Sequence, residues 1–206
     1  MMILDKRGLL SELKEQEGVI LELGCGNRKR FNHSIGIDLL NYDVVDIVGD
    51  VYDVLNEFPD ASVSAVYSSH FFEHVPNLEL LLGELSRILA PNGLLEIVVP
   101  HFSNPYFYSD YTHKIFYGLY SFSYFSIDSI FKRRTPTYQR VLCFDLVDAK
   151  LVFKSSPAFP ARYGIKKLLF EKLFNLTTWT KEFYEENLCY LFPCYELKFT
   201  LKRVSE

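Results

Sequence analysis

Residues 18–40 constrain this chain more than any other stretch. Val19, Ile20, Leu21 and Leu23 make a short, almost continuously apolar run with β-branched members, which suits a strand buried on both faces of a parallel sheet. It ends in Gly24-Cys25-Gly26-Asn27. Two glycines around one small residue allow a sharp turn and let a ligand approach the main chain with no Cβ in the way. Sheets of the α/β type hold nucleotides in this manner at the carboxyl ends of strands. A second apolar stretch, residues 34–37, stops at Asp38, where a carboxylate on the strand tip can accept two hydrogen bonds from a ribose diol.

Three more segments follow in order. Val45-Asp46-Ile47-Val48-Gly49-Asp50 reads as a third short strand, with Asp50 also placed to cap a helix over residues 51–58. Residues 63–67 form a fourth strand that leads into Ser68-Ser69-His70-Phe71-Phe72-Glu73-His74-Val75. Leu78, Leu81, Leu82, Leu85, Ile88 and Leu89 recur at helical spacing before Pro91-Asn92-Gly93 breaks the helix, and residues 94–99 make a fifth strand ending at Pro100-His101.

Together with Glu22-Leu23-Gly24-Cys25-Gly26-Asn27 and Gly36-Ile37-Asp38-Leu39, these segments resemble the ordered motifs of class I S-adenosylmethionine-dependent methyltransferases over roughly the first half of the chain. The resemblance implies a Rossmann-like, doubly wound α/β domain. Its sheet would have seven strands, mostly parallel with an antiparallel last strand, and helical insertions would lie in the C-terminal half. It also implies S-adenosylmethionine as cofactor and S-adenosylhomocysteine as product. The pocket would be made by Glu22, Gly24, Cys25, Gly26, Asp38, Leu39, Asp50, Val51, Ser69 and His70. In it Asp50 would accept from the adenine amino group, the main chain of Val51 would meet the ring edge, and the segment around Ser69 would touch the methionine part.

The chain has 206 residues, enough for one well-buried domain and short for two, so 1–206 is expected to be a single domain. Hydrophobic content of 49% with 23% charged residues describes an ordinary globule rather than a disordered chain. A net charge of −4 argues against a broad nucleic-acid surface. Cys25, Cys143, Cys189 and Cys194 are spaced too irregularly for a zinc ribbon or a disulfide scaffold, which fits reduced thiols in a cytoplasmic protein. The N-terminal residues mix charge with leucines, lack the apolar core of a signal peptide and read as a surface helix. Arg28, Lys29 and Arg30 are expected in solvent. His70, Glu73 and His74 spell a zinc-protease pattern, but the pattern starts at a strand end and Pro76 follows closely, so no continuous helix can aim both imidazoles at one metal. No metal is expected.

The second half carries the acceptor question. Residues 101–114 leave a strand tip on the cofactor side, crowded with aromatic and titratable groups, and related methyltransferases carry a similar Asp-x-Thr-His stretch followed by an aromatic-rich helix, here residues 115–125. His101, Asp110 and His113 are the candidate catalytic bases, needed if the acceptor is a hydroxyl or a protonated amine. Asp110 could instead cap the following helix. Segments 101–140 and 157–190 are read as acceptor-side insertions. Lys132, Arg133, Arg134 and Arg140 form either a solvated loop or an anion clamp. Residues 141–152 and 195–204 alternate as late strands, with Cys143 buried. Between them a basic amphipathic helix over residues 162–176 is expected to pack its leucines on the domain, with peripheral membrane contact as the less favoured alternative.

The leading function is methyl transfer to a small-molecule or glycan-type acceptor. A non-catalytic cofactor-binding or interaction module is the alternative. An NAD-dependent oxidoreductase or epimerase ranks lower, because Asn27 stands where a dinucleotide loop carries its third glycine.

Overall fold

The computed structural model describes residues 2–12, 18–136, 144–155, 159, 164 and 166–204. Its strands are β1 (Leu4–Asp5), β2 (Val19–Leu23), β3 (Ile35–Asp38), β4 (Ile47–Val48), β5 (Val63–Ser69), β6 (Leu89–Pro100), β7 (Phe144–Val152) and β8 (Glu196–Arg203). They form one sheet in the order β1-β4-β3-β2-β5-β6-β8-β7. Strands β4, β3, β2, β5 and β6 run parallel, while β8 runs antiparallel to both β6 and β7. The doubly wound seven-stranded sheet with an antiparallel last strand is therefore present. A two-residue eighth strand, β1, joins β4 at the edge where the sequence reading put only a surface helix. That helix survives as α1 (Leu9–Glu12), and Leu13, Lys14, Glu15 and Glu17 lie outside the described residues.

Burial on both faces explains the apolar strands. Leu21, Leu23, Val66, Leu95, Ile97 and Leu201 are fully enclosed. Helix α2 (Val51–Asn56) and helix α3 (Leu78–Ile88) cover the sheet, the latter through Leu81, Leu82, Leu85 and Ile88. Asn77 caps α3, its side chain accepting from Leu80 N–H at 3.0 Å. No helix among the described residues is long and apolar enough to cross a membrane.

The chain winds from β2 through β3 to β4, then crosses back beside β2 to lay down β5 and β6. This reversal between β2 and β5 opens a crevice at their carboxyl ends, where α/β sheets bind ligands. The crossover beneath it differs from expectation. Lys29 is not solvated: its ammonium reaches the buried carboxylate of Asp46 at 2.7 Å and the Ser34 carbonyl at 2.9 Å. The same Asp46 oxygen accepts from Gly36 N–H at 2.8 Å, so one buried charge ties the loop to β3.

The C-terminal half departs more. Residues 115–125 do not form a helix. Tyr117 bridges His101 as extended chain, and only Ser121–Phe125 coils, as a 3-10 turn. Tyr117 and Leu119 are buried with exposed Phe116 beside them, a spacing of two that belongs to extended backbone. The Tyr117 ring then stacks on Phe122 at 5.7 Å, and Phe122 meets Phe199 of β8 at 4.7 Å. Arg162 and Ile165 of the expected basic helix lie outside the described residues, as do Arg140, Val141, Leu142 and Cys143. The described remainder is a π-helical turn, Lys166–Phe170, running into Glu171–Phe174. Here Phe170 and Phe174 turn inward onto Phe153, whereas Leu168, Leu169, Leu173 and Leu176 are exposed, reversing the expected face. A second helix, Thr178–Asn187, follows with a capping box at Thr177 and Thr180.

Replacing Asp46 with Ala strands the Lys29 ammonium and the Gly36 amide together. Urea denaturation is expected to register a loss of about 3–5 kcal/mol; a loss within experimental error would show that the crossover does not depend on this pair.

Candidate active site

Gly24 and Gly26 leave β2 with φ of +64° and +58°, left-handed backbone that strains any side chain. The turn is pinned to β3: Gly24 N–H donates to Ile37 O at 2.9 Å and Gly26 N–H to Asp38 Oδ2 at 2.7 Å. Asp38 Oδ1 accepts from Leu40 N–H at 2.8 Å. Each oxygen has a second lone pair, so the pinning leaves acceptor capacity for a diol.

A cavity of about 290 Å³ opens at this carboxylate, lined by Gly24, Asp38, Leu39, Asp50, Val51 and Phe71 among others. Asp50 is the N-cap of α2, with Oδ1 accepting from Tyr52 N–H at 3.0 Å. The capping role foreseen as the alternative is thus real. It engages one oxygen and leaves Asp50 on the cavity wall. A second cavity, of about 730 Å³, lies on the other side of the turn and is lined by Gly24, Cys25, Arg28 and Ser69. Gly24 alone of the turn residues borders both. Phe71 packs so closely that a Cβ on Gly24 would sit 2.6 Å from Phe71 Cβ. Ser69 lines the second cavity, and its enclosed Oγ has no hydrogen-bond partner among the described residues. Turn, diol acceptor, capped carboxylate and orphan hydroxyl all fit the adenosyl and methionyl halves of the implied cofactor.

Three cofactor candidates have other duties. Glu22 is buried, and its carboxylate accepts from Arg30 N–H at 3.0 Å, Phe31 N–H at 3.2 Å and Ser34 Oγ at 3.3 Å. It borders the larger cavity yet works mainly as a staple for the crossover. The Cys25 thiol is pushed up to about 12 by burial and by the nearby Asp38 and Glu22, so it is an inert wall. His70 has a φ of +56° and spends its ring on two carboxylates, Nε2 on Glu196 at 2.8 Å and Nδ1 near Glu73 at 3.3 Å. Burial alone would lower its pKa, but the hydrogen bond to Glu196 and the negative charge of the adjacent Glu73 outweigh burial and push it up to about 9.

The three candidate bases separate. His101 is fully buried, with Nδ1 on Ser103 Oγ at 2.8 Å and Nε2 on Glu185 at 3.2 Å. Both nitrogens are engaged and none of the ring is exposed, so His101 is scaffold. Asp110 and His113 stand together, His113 Nε2 lying 3.6 Å from Asp110 Oδ2. Asp110 caps no helix. It accepts from Thr112 N–H and Thr112 Oγ1, and these bonds hold its carboxyl below the usual range. Arg133 lies 5.0 Å over the Tyr120 ring in a separate cavity with Glu182, Glu185 and Glu186, surroundings too acidic for an anion clamp.

Sequence reasoning missed Phe71, Glu196 and Lys154. Lys154 reaches Glu196 at 2.6 Å. Both sit far along the chain from the turn they serve. Phe71 had a signal, since it directly follows the strand-tip segment.

A family model described as Methyltransferase domain matches residues 3–132. No curated protein matches this sequence. Among solved structures, the chain is similar to a SAM-dependent methyltransferase from Archaeoglobus fulgidus, with 18% identity, 94% of this chain and 92% of that chain covered, and a TM-score of 0.57. It is similar to the YcgJ protein from Bacillus subtilis, with 14% identity, 97% of each chain covered and a TM-score of 0.55. It also resembles phosphoethanolamine N-methyltransferase 2 from Haemonchus contortus in complex with S-adenosyl-L-methionine, with 15% identity, 96% of this chain and 52% of that chain covered, and a TM-score of 0.50.

If Gly24 is the shared wall, Gly24→Ala strains the backbone and displaces Phe71. Calorimetry is expected to show S-adenosylmethionine binding weakened by at least about tenfold, the lower end of left-handed strain for a residue with a Cβ. Wild-type affinity in that variant would contradict the arrangement.

Proposed function

The chain belongs to the methyltransferase-domain family, and on that premise we propose that it transfers a methyl group from S-adenosylmethionine to a small-molecule or saccharide-type acceptor over residues 101–114, as a cytoplasmic enzyme. The observation that supports the cofactor half is Gly24 standing between two cavities, with Asp38 and Asp50 in one and Ser69 in the other. When bound, the cofactor supplies an electrophilic methyl on a sulfonium sulfur. The protein's own task is orientation, because methyl transfer is an in-line displacement. Asp38 accepts from the ribose hydroxyls, Asp50 and the Val51 main chain meet the adenine, and Leu39 covers the ribose side. The Gly24-Cys25-Gly26 backbone and Ser69 hold the methionine half.

On the acceptor side, Tyr108, Tyr111 and Phe116 expose large parts of their rings in the segment that carries Asp110 and His113, Phe116 and His113 both packing on Phe107. Aromatic faces of this kind suit a sugar ring or another aromatic ring. A hydroxyl or ammonium acceptor must also lose a proton, and Asp110 and His113 are the candidate groups still able to assist. A second reading of where the enzyme works rests on one observation, the exposed Leu168, Leu169, Leu173 and Leu176 beside Lys172, which suit an anionic lipid surface.

Calorimetry is expected to show binding of S-adenosylmethionine and S-adenosylhomocysteine but not NAD; the opposite preference would end the proposal. Labelled methyl transfer across a panel of sugars, amines and phenols is expected to find an acceptor. Cofactor binding with no transfer to any of them would favour a non-catalytic binding module. Co-sedimentation with acidic vesicles is expected to fall when Leu168 and Leu169 are both changed to Ser, and no sedimentation of the unaltered protein would rule out lipid contact.

A further inference from the structure

Glu73 and His74 lie on a 3-10 turn, Phe72–His74, directly after β5, and His113 comes from the distant acceptor-side segment. The backbone brings them together. Lys114 N–H and Ile115 N–H both donate to the Glu73 carbonyl, at 2.7 and 3.3 Å. One ligand atom from each of Glu73, His74 and His113 lies within 4.8 Å of the others. A tetrahedral site with bonds of about 2.0–2.1 Å has edges of roughly 3.3 Å, so the three ligand atoms must draw together by up to about 1.5 Å on binding.

The carboxylate itself is the second observation. Glu73 is completely buried, and among the described residues neither of its oxygens has a hydrogen-bond partner. His70 Nδ1 is 3.3 Å from Oε1, and His113 Nε2 is 3.9 Å away, beyond hydrogen-bond range. A carboxylate in such surroundings is costly unless a cation meets it. His70 supplies part of that charge from one side. It is anchored on Glu196, as an outer partner of the carboxylate would be.

The tautomers of the two histidines follow from their partners. His113 Nδ1 is 2.9 Å from the Phe107 carbonyl, which can only accept, so Nδ1 carries the proton. His74 Nδ1 is 2.9 Å from Thr112 Oγ1, and that hydroxyl gives its proton to Asp110 Oδ1 at 2.6 Å. Hence His74 Nδ1 also carries the proton. With Nδ1 as the donor, each ring presents Nε2 as the ligand atom when neutral, and each has an oxygen acceptor behind it, the arrangement found behind metal-ligating imidazoles. Asp110 Oδ2, 3.6 Å from His113 Nε2, adds a second negative charge at the rim.

We propose that Glu73, His74 and His113 bind one divalent first-row cation of the zinc type. Two imidazoles and one carboxylate suit zinc, cobalt or ferrous iron better than calcium or magnesium, and they leave coordination positions open. His74 and Lys114 line the cavity that holds Asp38 and Asp50, so the cation sits at the boundary between cofactor and acceptor. Its use there, drawing electron density from an acceptor hydroxyl in place of a side-chain base, rests on the methyl-transfer reading; the binding itself does not. His70 and His74 share no metal in this arrangement, because His113 takes the place of His70.

The test uses the full chain, stripped with chelator and titrated with cobalt(II), then with zinc as competitor. The expected result is one cobalt per chain with visible ligand-field absorption that zinc displaces. His74→Asn and His113→Asn are each expected to weaken binding by more than tenfold, and Thr112→Val, which removes the oxygen behind His74 together with its bond to Asp110, by about tenfold. Both histidines are half-buried, so their variants test the site without disturbing the fully buried Glu73. No cobalt or zinc uptake by the unaltered protein, or undiminished uptake by both histidine variants, overturns the proposal. S-adenosylmethionine calorimetry on the metal-free protein separates the two readings. Cofactor binding without metal binding removes only the cation site, and metal binding without cofactor binding removes only the methyl-donor reading.

Discussion

Three carboxylates hold main-chain amides and one ammonium in place, and the rest of the site depends on that holding. Glu22 gathers the amides of Arg30 and Phe31, Asp38 fixes Gly26 and Leu40, and Asp46 binds Gly36 and Lys29. A two-glycine turn has little intrinsic preference for one conformation. Charge-assisted bonds to its amides supply that preference, and buried surroundings strengthen them. The cavities on either side of Gly24 keep their shapes because the turn between them cannot relax.

The order of the sheet turns this local arrangement into a site. Strands β2 and β5 are neighbours in space but belong to opposite halves of the winding, so their carboxyl ends face the same crevice. Ser69, His70 and Phe71 arrive there from one side, and Gly24, Asp38 and Asp50 from the other. Lys114 and Ile115 then fasten the aromatic segment onto the Glu73 carbonyl, which sets the acceptor side against the cofactor side.

Much of this was legible in the sequence wherever neighbours in the chain are neighbours in space. The glycine turn, Asp38 on a strand tip, the helix after Asp50 and the leucine face of α3 all depend on short spacing, and all are present. What was not legible depends on partners distant in sequence. Lys29 reads as a surface charge until Asp46 is seen beside it. His101 reads as a strand-tip base until Glu185, far along the chain, is seen on its Nε2. Residues 115–125 have the composition of an aromatic helix, but pairing with His101 holds the chain at Tyr117 extended and leaves only Ser121–Phe125 coiled, as a 3-10 turn. On the helix after residue 166 the aromatics outcompeted the leucines for the core, because Phe170 and Phe174 find ring partners in Phe153 and Tyr184.

The contact between His70 and Glu196 joins residues 126 positions apart. Glu196 opens β8, which must insert between β6 and β7 before the imidazole has its strongest anionic neighbour. Closing so long a loop costs conformational entropy that only the finished sheet repays. A chain lacking β8 would carry the glycine turn without the carboxylate that anchors the His70 ring at the tip of β5.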